Sequence, residues 1–428
     1  MPVENSEELA KAFSKKDRKA RRIEKNIKKL DKRAKKLGKK QEKLDKTSLI
    51  FLICGGVGLV GGVALALTGI FMPKPKETEL FYPIIPSKTT GEKIYSNLTG
   101  LELTDKSLVT APTYCVQTPN GLDGARPHAG LDEAGVVFEA IAEAGITRFA
   151  AIYQNPTSAV IGPIRSLRLY YLQWDTPFDC TIVHAGGADD AIAAVRAGGY
   201  KDLTEDYTYM YRSNGGYRLW NNLFTNSTLL AQFSADHGYT TSNVKGFTRL
   251  TPDEAEKKRI DETVSEKLVI TEPAAGNTAT ITPKVTDISF NFGSVGSFNA
   301  HYVYNAETNS YLRGYGSGEA HEIYDCPDGN LGEVSPESSC TLTQLSPKVV
   351  IAMMVEERKA ADNYHENITA IGGGTAYIFQ NGVAIKGTWT KASAADQIKF
   401  YDESGAEVSL VPGQTFISAV PNYGNVQY

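Results

Sequence analysis

Histidine and cysteine are scarce in this chain, six and five in 428 residues. No two of them lie at a spacing that would ligate zinc, and no metal or other cofactor is expected. Gly186-Gly187 is too short for a phosphate-cradling loop. No serine, histidine and acid fall into a nucleophile pattern, which leaves Ser166 without an evident base and the question of an enzymatic activity open. Charge is wholly missing from one stretch, "TSLIFLICGGVGLVGGVALALTGIFM", Thr47 to Met72. A bilayer needs roughly 20 apolar residues, and a cleaved signal peptide has an apolar core of only about 7–15. The run is too long and starts too late for the latter, so a single transmembrane helix over 47–72 is expected.

The charge that is present is divided. Residues 1–46 hold 18 Lys+Arg against 8 Asp+Glu, a net +10, and the remainder carries a net −14. Basic residues mark the cytoplasmic side, which puts 1–46 inside the cell membrane and 73–428 outside it. The acidic balance of the exported part disfavours nucleic acid as a partner. Ala20, Ile23, Ile27, Leu30, Ala34, Leu37, Gln41 and Leu44 alternate steps of three and four, a heptad seam over 20–44. The seam suits a short parallel coiled coil, a lysine-rich helix lying on anionic lipid, or a frayed basic tail that fixes topology. With Gly58 and Gly62 spaced to let membrane helices approach closely, it points to a homodimer.

After the span, the proline-rich residues 73–110 read as a tether. The fold class expected beyond it is α+β: a mixed α/β domain over 111–270, a linker over 271–286, and a small, mostly antiparallel β domain over 287–428. "DDAIAAVRAGG" starts a helix at Asp189 and stops it at two glycines, and Thr251-Pro252 with Glu254 forms a capping box. Asn381-Gly382 and Ser404-Gly405 mark hairpins. Cys326 and Cys340 flank a turn-rich loop that a disulfide would close; for Cys115 and Cys180, pairing and free burial both stand.

"ARPHAGLDEAGVVFEAIAEAGITRF", "GPIRSLRLYY" and "IVHAGG", followed by "GGGTAYIFQNGVAIKGTWTK" and "FYDESGAEVSLVPGQTFISAVP", resemble the N- and C-terminal domains of the YerB-like family of bacterial lipoproteins. The resemblance covers about 111–425 and implies this architecture, with no established reaction. Cys54 is preceded by "FLI" and followed by more of the span, so a protein anchor replaces the family's lipid anchor. Trp220 stands where the family tends to place a histidine, which argues against an essential catalytic histidine there.

Arg148, Arg165, Arg168, Arg212 and Arg218 lie in these stretches, with Glu139 and Glu143. The two glutamates are four apart and share a face in a helix or a strand, which points to one Glu/Arg cluster. Either the cluster is an internal ion network, or an arginine-lined cleft holds a carboxylate or phosphate through the guanidinium fork. His184 precedes a glycine turn with Asp189 at the next helix start, a common place for site loops. Tyr207, Tyr209 and Tyr211 alternate, with Trp220, Asn221 and Asn222 nearby; the stripe suits either core packing or a glycan. The expectation is an extracytoplasmic module that binds an anionic cell-envelope glycan or peptide. Two rival readings are a glycopolymer transferase of the LytR–CpsA–Psr kind, which the span, the external α/β domain and the clustered arginines loosely resemble, and a structural envelope scaffold.

Overall fold

The computed structural model describes residues 93–213, 217, 219–263, 284–329, 331 and 340–428. These fall within one compact unit, Glu79–Tyr428. The basic segment, the span with Gly58 and Gly62, and most of the tether and of the 271–286 linker lie outside the described residues. Among the described residues, no helix is long and apolar enough to cross a membrane.

Ten strands form one sheet. In chain order they are β1 (Thr113–Pro119), β2 (Val136–Glu143), β3 (Ile146–Gln154), β4 (Thr181–His184), β5 (Asp202–Thr204), β6 (Val349–Val355), β7 (Gly372–Gln380), β8 (Val383–Lys391), β9 (Lys399–Asp402) and β10 (Thr415–Pro421). Their spatial order is β9-β8-β7-β6-β10-β2-β3-β1-β4-β5. The expected α/β and β domains therefore meet as neighbours in a single sheet: β10 lies parallel to both β6 and β2, with Ser418 opposite Glu139. The central strands are buried on both faces and mostly apolar, as strands covered on two sides are.

One face is covered by helices α1 (Leu169–Asp175) and α2 (Asp189–Gly198), whose Tyr171, Trp174, Ala191 and Val195 pack on Cys115, Phe138, Ile152 and Ile351. The opposite parity faces two further layers. Helix α3 (Ser227–Asp236) packs on Val116, Phe149 and Val183. A four-stranded antiparallel sheet, ordered Ser310–Tyr315, Ala300–Asn305, Asp287–Asn291 and Asn425–Gln427, packs Phe290 and Tyr302 on Val350 and Phe379.

Local signals explain the boundaries. Asn381 and Gly382 both take positive φ, +56° and +70°, as a two-residue type I′ turn requires between β7 and β8. Thr251 and Glu254 bond each other's backbone amides at the start of α4 (Pro252–Thr263). Helix α2 ends at Gly199 in the left-handed region, but Ala188 is its N-cap and Asp189 sits in the first turn, where its charge favours the helix dipole. Order begins earlier than the expected 73–110 tether allowed: Ile94–Tyr95 pairs with Glu102–Leu103, and Leu98 joins the core. Two disulfides form. Cys115–Cys180 ties the start of β4 to β1, and Cys326–Cys340 closes the loop between Glu322–Asp325 and Thr341–Gln344.

Candidate functional site

The segment Ile161–Arg168 has no regular structure, yet its backbone is stitched to three neighbours. Ile164 N–H donates to the Leu223 carbonyl, Arg165 N–H to Gln117, and Leu167 N–H to Gly186. Beneath it, Glu143 at the end of β2 takes Arg148 Nη2 at 2.7 Å on one oxygen and Arg168 Nη2 at 2.5 Å on the other. Arg148 also donates to the Ser166 carbonyl and Arg168 to that of Leu167. Each guanidinium thus reaches a carboxylate and a carbonyl at once, which a lysine ammonium does not span in a fixed fork. Burial pushes the Glu143 carboxyl up, but the two arginines outweigh it and hold it below its ordinary value. Arg165, between them, is half-buried, and its side chain makes no hydrogen bond or ion pair among the described residues. The Ser166 hydroxyl is engaged by the Ala185 carbonyl.

Glu139 does not join this cluster. A β-bulge between Ile141 and Glu143 inserts a residue into β2 and breaks the alternation that a four-residue offset assumed. Glu139 points instead to Arg313, whose Nη2 lies 2.8 and 2.9 Å from its two oxygens, with both side chains fully buried. Ser418 donates to the same carboxylate. On the far side, Arg313 donates to His321 Nδ1; His321 Nε2 and His128 Nδ1 are 2.9 Å apart; and His128 Nε2 donates to the Pro119 carbonyl at 2.7 Å. The carbonyl and the guanidinium fix the direction of every bond, so both rings are neutral with the proton on Nε2. Burial, ahead of the nearby arginines, takes His128 down to about 3 and His321 well below its usual value. Sequence reasoning missed Arg313 and both histidines. The available signal was strand parity, because Tyr311, Arg313 and Tyr315 all face inward.

Arg168 emerges at the wall of a cleft of about 370 Å³ between the N-terminus of α2 and the hairpin formed by Glu357–Lys359 and Glu366–Ile368. Asp189, Asp190, Asp362, His365 and Glu366 also line it. Asp362 accepts from the Tyr364 and His365 amides and the His365 ring, which holds its carboxyl below its ordinary range. Glu366 is buried and pairs with Lys359; it also lines a second cavity of about 440 Å³ with Glu357 and Tyr423. Burial, ahead of neighbouring Glu366, pushes the Glu357 carboxyl up. Among the described residues, Arg168 is the one of the five arginines that lines the cleft, and it shares the Glu143 carboxylate with Arg148; four lining carboxylates, Asp189, Asp190, Asp362 and Glu366, outnumber it, so the expected arginine-lined cleft for an anion becomes one of mixed charge in which carboxylates dominate.

The other candidates lie elsewhere. His184 is buried, with its two ring nitrogens tied to the Gly186 carbonyl and to Asp202, so it pins the turn. Arg212 pairs with Glu205 on the surface, and Arg218 lies outside the described residues. Trp220 donates to Asp123. The tyrosines do not form a strand stripe: Tyr207 to Tyr209 make a turn, sending Tyr209 into the core and Tyr207 outward. Among the described residues, no three His, Cys, Asp or Glu side chains converge to hold a metal ion.

Residues 98–240 match the N-terminal domain of the family described as protein of unknown function (DUF3048), and residues 288–417 match its C-terminal domain. The protein named "Putative lipoprotein YerB" from Bacillus subtilis (strain 168) is 38% identical over 109 residues, which is 26% of this chain and 32% of that protein. The chain thus matches about a third of that relative's length. The crystal structure of Bacillus subtilis YerB superposes with a TM-score of 0.61 at 20% identity, covering 78% of this chain and all of that one, which establishes a shared fold. The chain carries both domains in order and belongs to the YerB-like DUF3048 family, whose function is unknown.

Proposed function

We propose that the protein is a membrane-anchored, extracytoplasmic binding module. Its cleft between α2 and the Glu357–Ile368 hairpin takes an envelope glycan or peptide that carries both amine and carboxylate groups. The observation that carries this reading is the cleft itself. It is built from both family domains, it sets Arg168 and His365 against Asp189, Asp190 and Asp362, and Glu143 holds Arg168 in its wall. Such mixed charge repels a polyanion and suits a zwitterionic group. Two disulfides support an oxidising compartment. The relative's name, a lipoprotein, supports attachment to the outer face of a membrane, with the uncharged run Thr47–Met72 as the anchor here.

The full chain in detergent, incubated with isolated cell-wall fractions, tests the reading. Asp189 is exposed, and the Arg165 side chain has no partner among the described residues, so Asp189→Asn and Arg165→Ala leave the fold intact. Wall binding that drops about tenfold in Asp189→Asn at unchanged melting temperature supports the cleft. Binding at wild-type strength in Asp189→Asn rejects it, and a loss confined to Arg165→Ala, which lies outside the cleft lining, also rejects it by moving the site to another surface.

A further inference from the structure

A different surface, away from the cleft, exposes aromatic side chains. Trp220 and Tyr207 are large aromatic side chains left 46% and 59% exposed, and Leu219, which precedes Trp220, and Leu122, which precedes its partner Asp123, are 77% and 59% exposed. Both rings are held by their polar edges. The Trp220 indole N–H donates to Asp123, which also accepts from Asn221. Arg212 donates to the Tyr207 hydroxyl at 2.9 Å, to the Leu219 carbonyl at 2.8 Å and to Asn222 Oδ1 at 2.8 Å, while its other nitrogen pairs with Glu205. One guanidinium therefore fixes the spacing between the two aromatic positions.

We propose that this face is a glycan platform that seats a neutral, N-acetylated pyranose chain. Sugars present an apolar C–H face and a rim of hydroxyls, the complement of an exposed ring edged by carboxylates, amides and a guanidinium. Among the described residues, Arg212 is paired with Glu205 and Asp123 accepts from the Trp220 indole and the Asn221 amide, an arrangement that offers a polyanion no unpaired cation. Interfaces between protein copies deplete charge at their centre, whereas here Glu205, Arg212 and Asp123 are interleaved with the apolar residues. Leu219 and Leu122 offer the acetyl methyl an apolar seat. The site does not depend on the cleft.

The chain has three tryptophans, and Trp174 and Trp389 are buried, at 0% and 1% exposed. Acrylamide quenching of the full chain in detergent therefore reads Trp220. Titration with the β-1,4-linked N-acetylglucosamine tetramer is expected to protect the quenchable fraction. Tyr207→Ala, which keeps the reporter, weakens this about tenfold, and Trp220→Ala, followed by calorimetry, abolishes heat of binding. No protection at millimolar tetramer overturns the proposal. Protection that grows with protein concentration in the absence of sugar also overturns it, because a second copy then covers the face. Asp189→Asn, the cleft variant, keeps full tetramer binding, which separates failure of this site from failure of the other.

Discussion

Arg313 and Glu139 meet in the protein's interior from positions 174 apart, the guanidinium fully buried against both oxygens of a fully buried carboxylate. The pair joins the two family domains across the face of the main sheet. Removing one partner strands a charge where water cannot reach it. Arg313→Met is expected to destabilise the protein by about 3–5 kcal/mol in urea unfolding, and Glu139→Gln/Arg313→Met to recover part of that loss. A double variant no more stable than the single would show that the pairing is not what the arginine contributes.

The histidine chain makes stability depend on pH. His128 takes up its proton near 3 in the folded state and near its ordinary 6.5 when unfolded. His321 is displaced in the same direction. The contribution is fully present above about 6.5 and is lost as pH falls, by about 1.4 kcal/mol per unit for each histidine, until the folded values are reached. Urea midpoints measured between pH 7 and 4 should drop steeply. The same series on His128→Gln/His321→Gln should be shallower, whatever its absolute stability, and an equal slope would rule out the histidines as its source.

Arg165 and Arg168, only three residues apart, should behave differently. Arg168→Ala takes a partner from the half-buried Glu143 and is expected to cost about 3 kcal/mol, with Arg168→Lys a poor rescue because one ammonium does not replace the fork. Arg165→Ala should stay within about 0.5 kcal/mol of the parent. Thermal melts of the three variants decide it.

The disulfides should rank by the loops they close. Cys115–Cys180 spans 65 positions and Cys326–Cys340 spans 14. Chain-entropy arguments give about 4 and about 3 kcal/mol. Cys115→Ala/Cys180→Ala is the more damaging pair of changes, since both sulfurs also pack in the core. Equal losses in calorimetry would contradict the loop argument.

Much of the fold was legible because its signals are local. Asn381-Gly382 demands a type I′ turn wherever it lies, and Thr251 with Glu254 caps a helix without outside help. The disulfide at Cys326 and Cys340 followed from proximity along the chain. The site was less legible, for two physical reasons. A single bulge at Ile141–Glu143 divided one expected cluster into two, and a bulge leaves no mark on composition. Arg313 was missed because its partner lies in the other domain, where no spacing rule reaches. Tyr207 and Tyr209 alternate like a strand yet turn, because the Asp206 carboxylate bonds the Thr208 amide and bends the backbone first.

Strand β10, drawn from the far end of the sequence, occupies the middle of the sheet between β6 and β2. A ribosome delivers β2 and β3 long before it delivers their neighbour, so the nascent chain waits with the β2 side of the sheet open. The strand that joins the two domains is among the last to be made, and a chain cut before Thr415 would lose its keystone rather than a fringe.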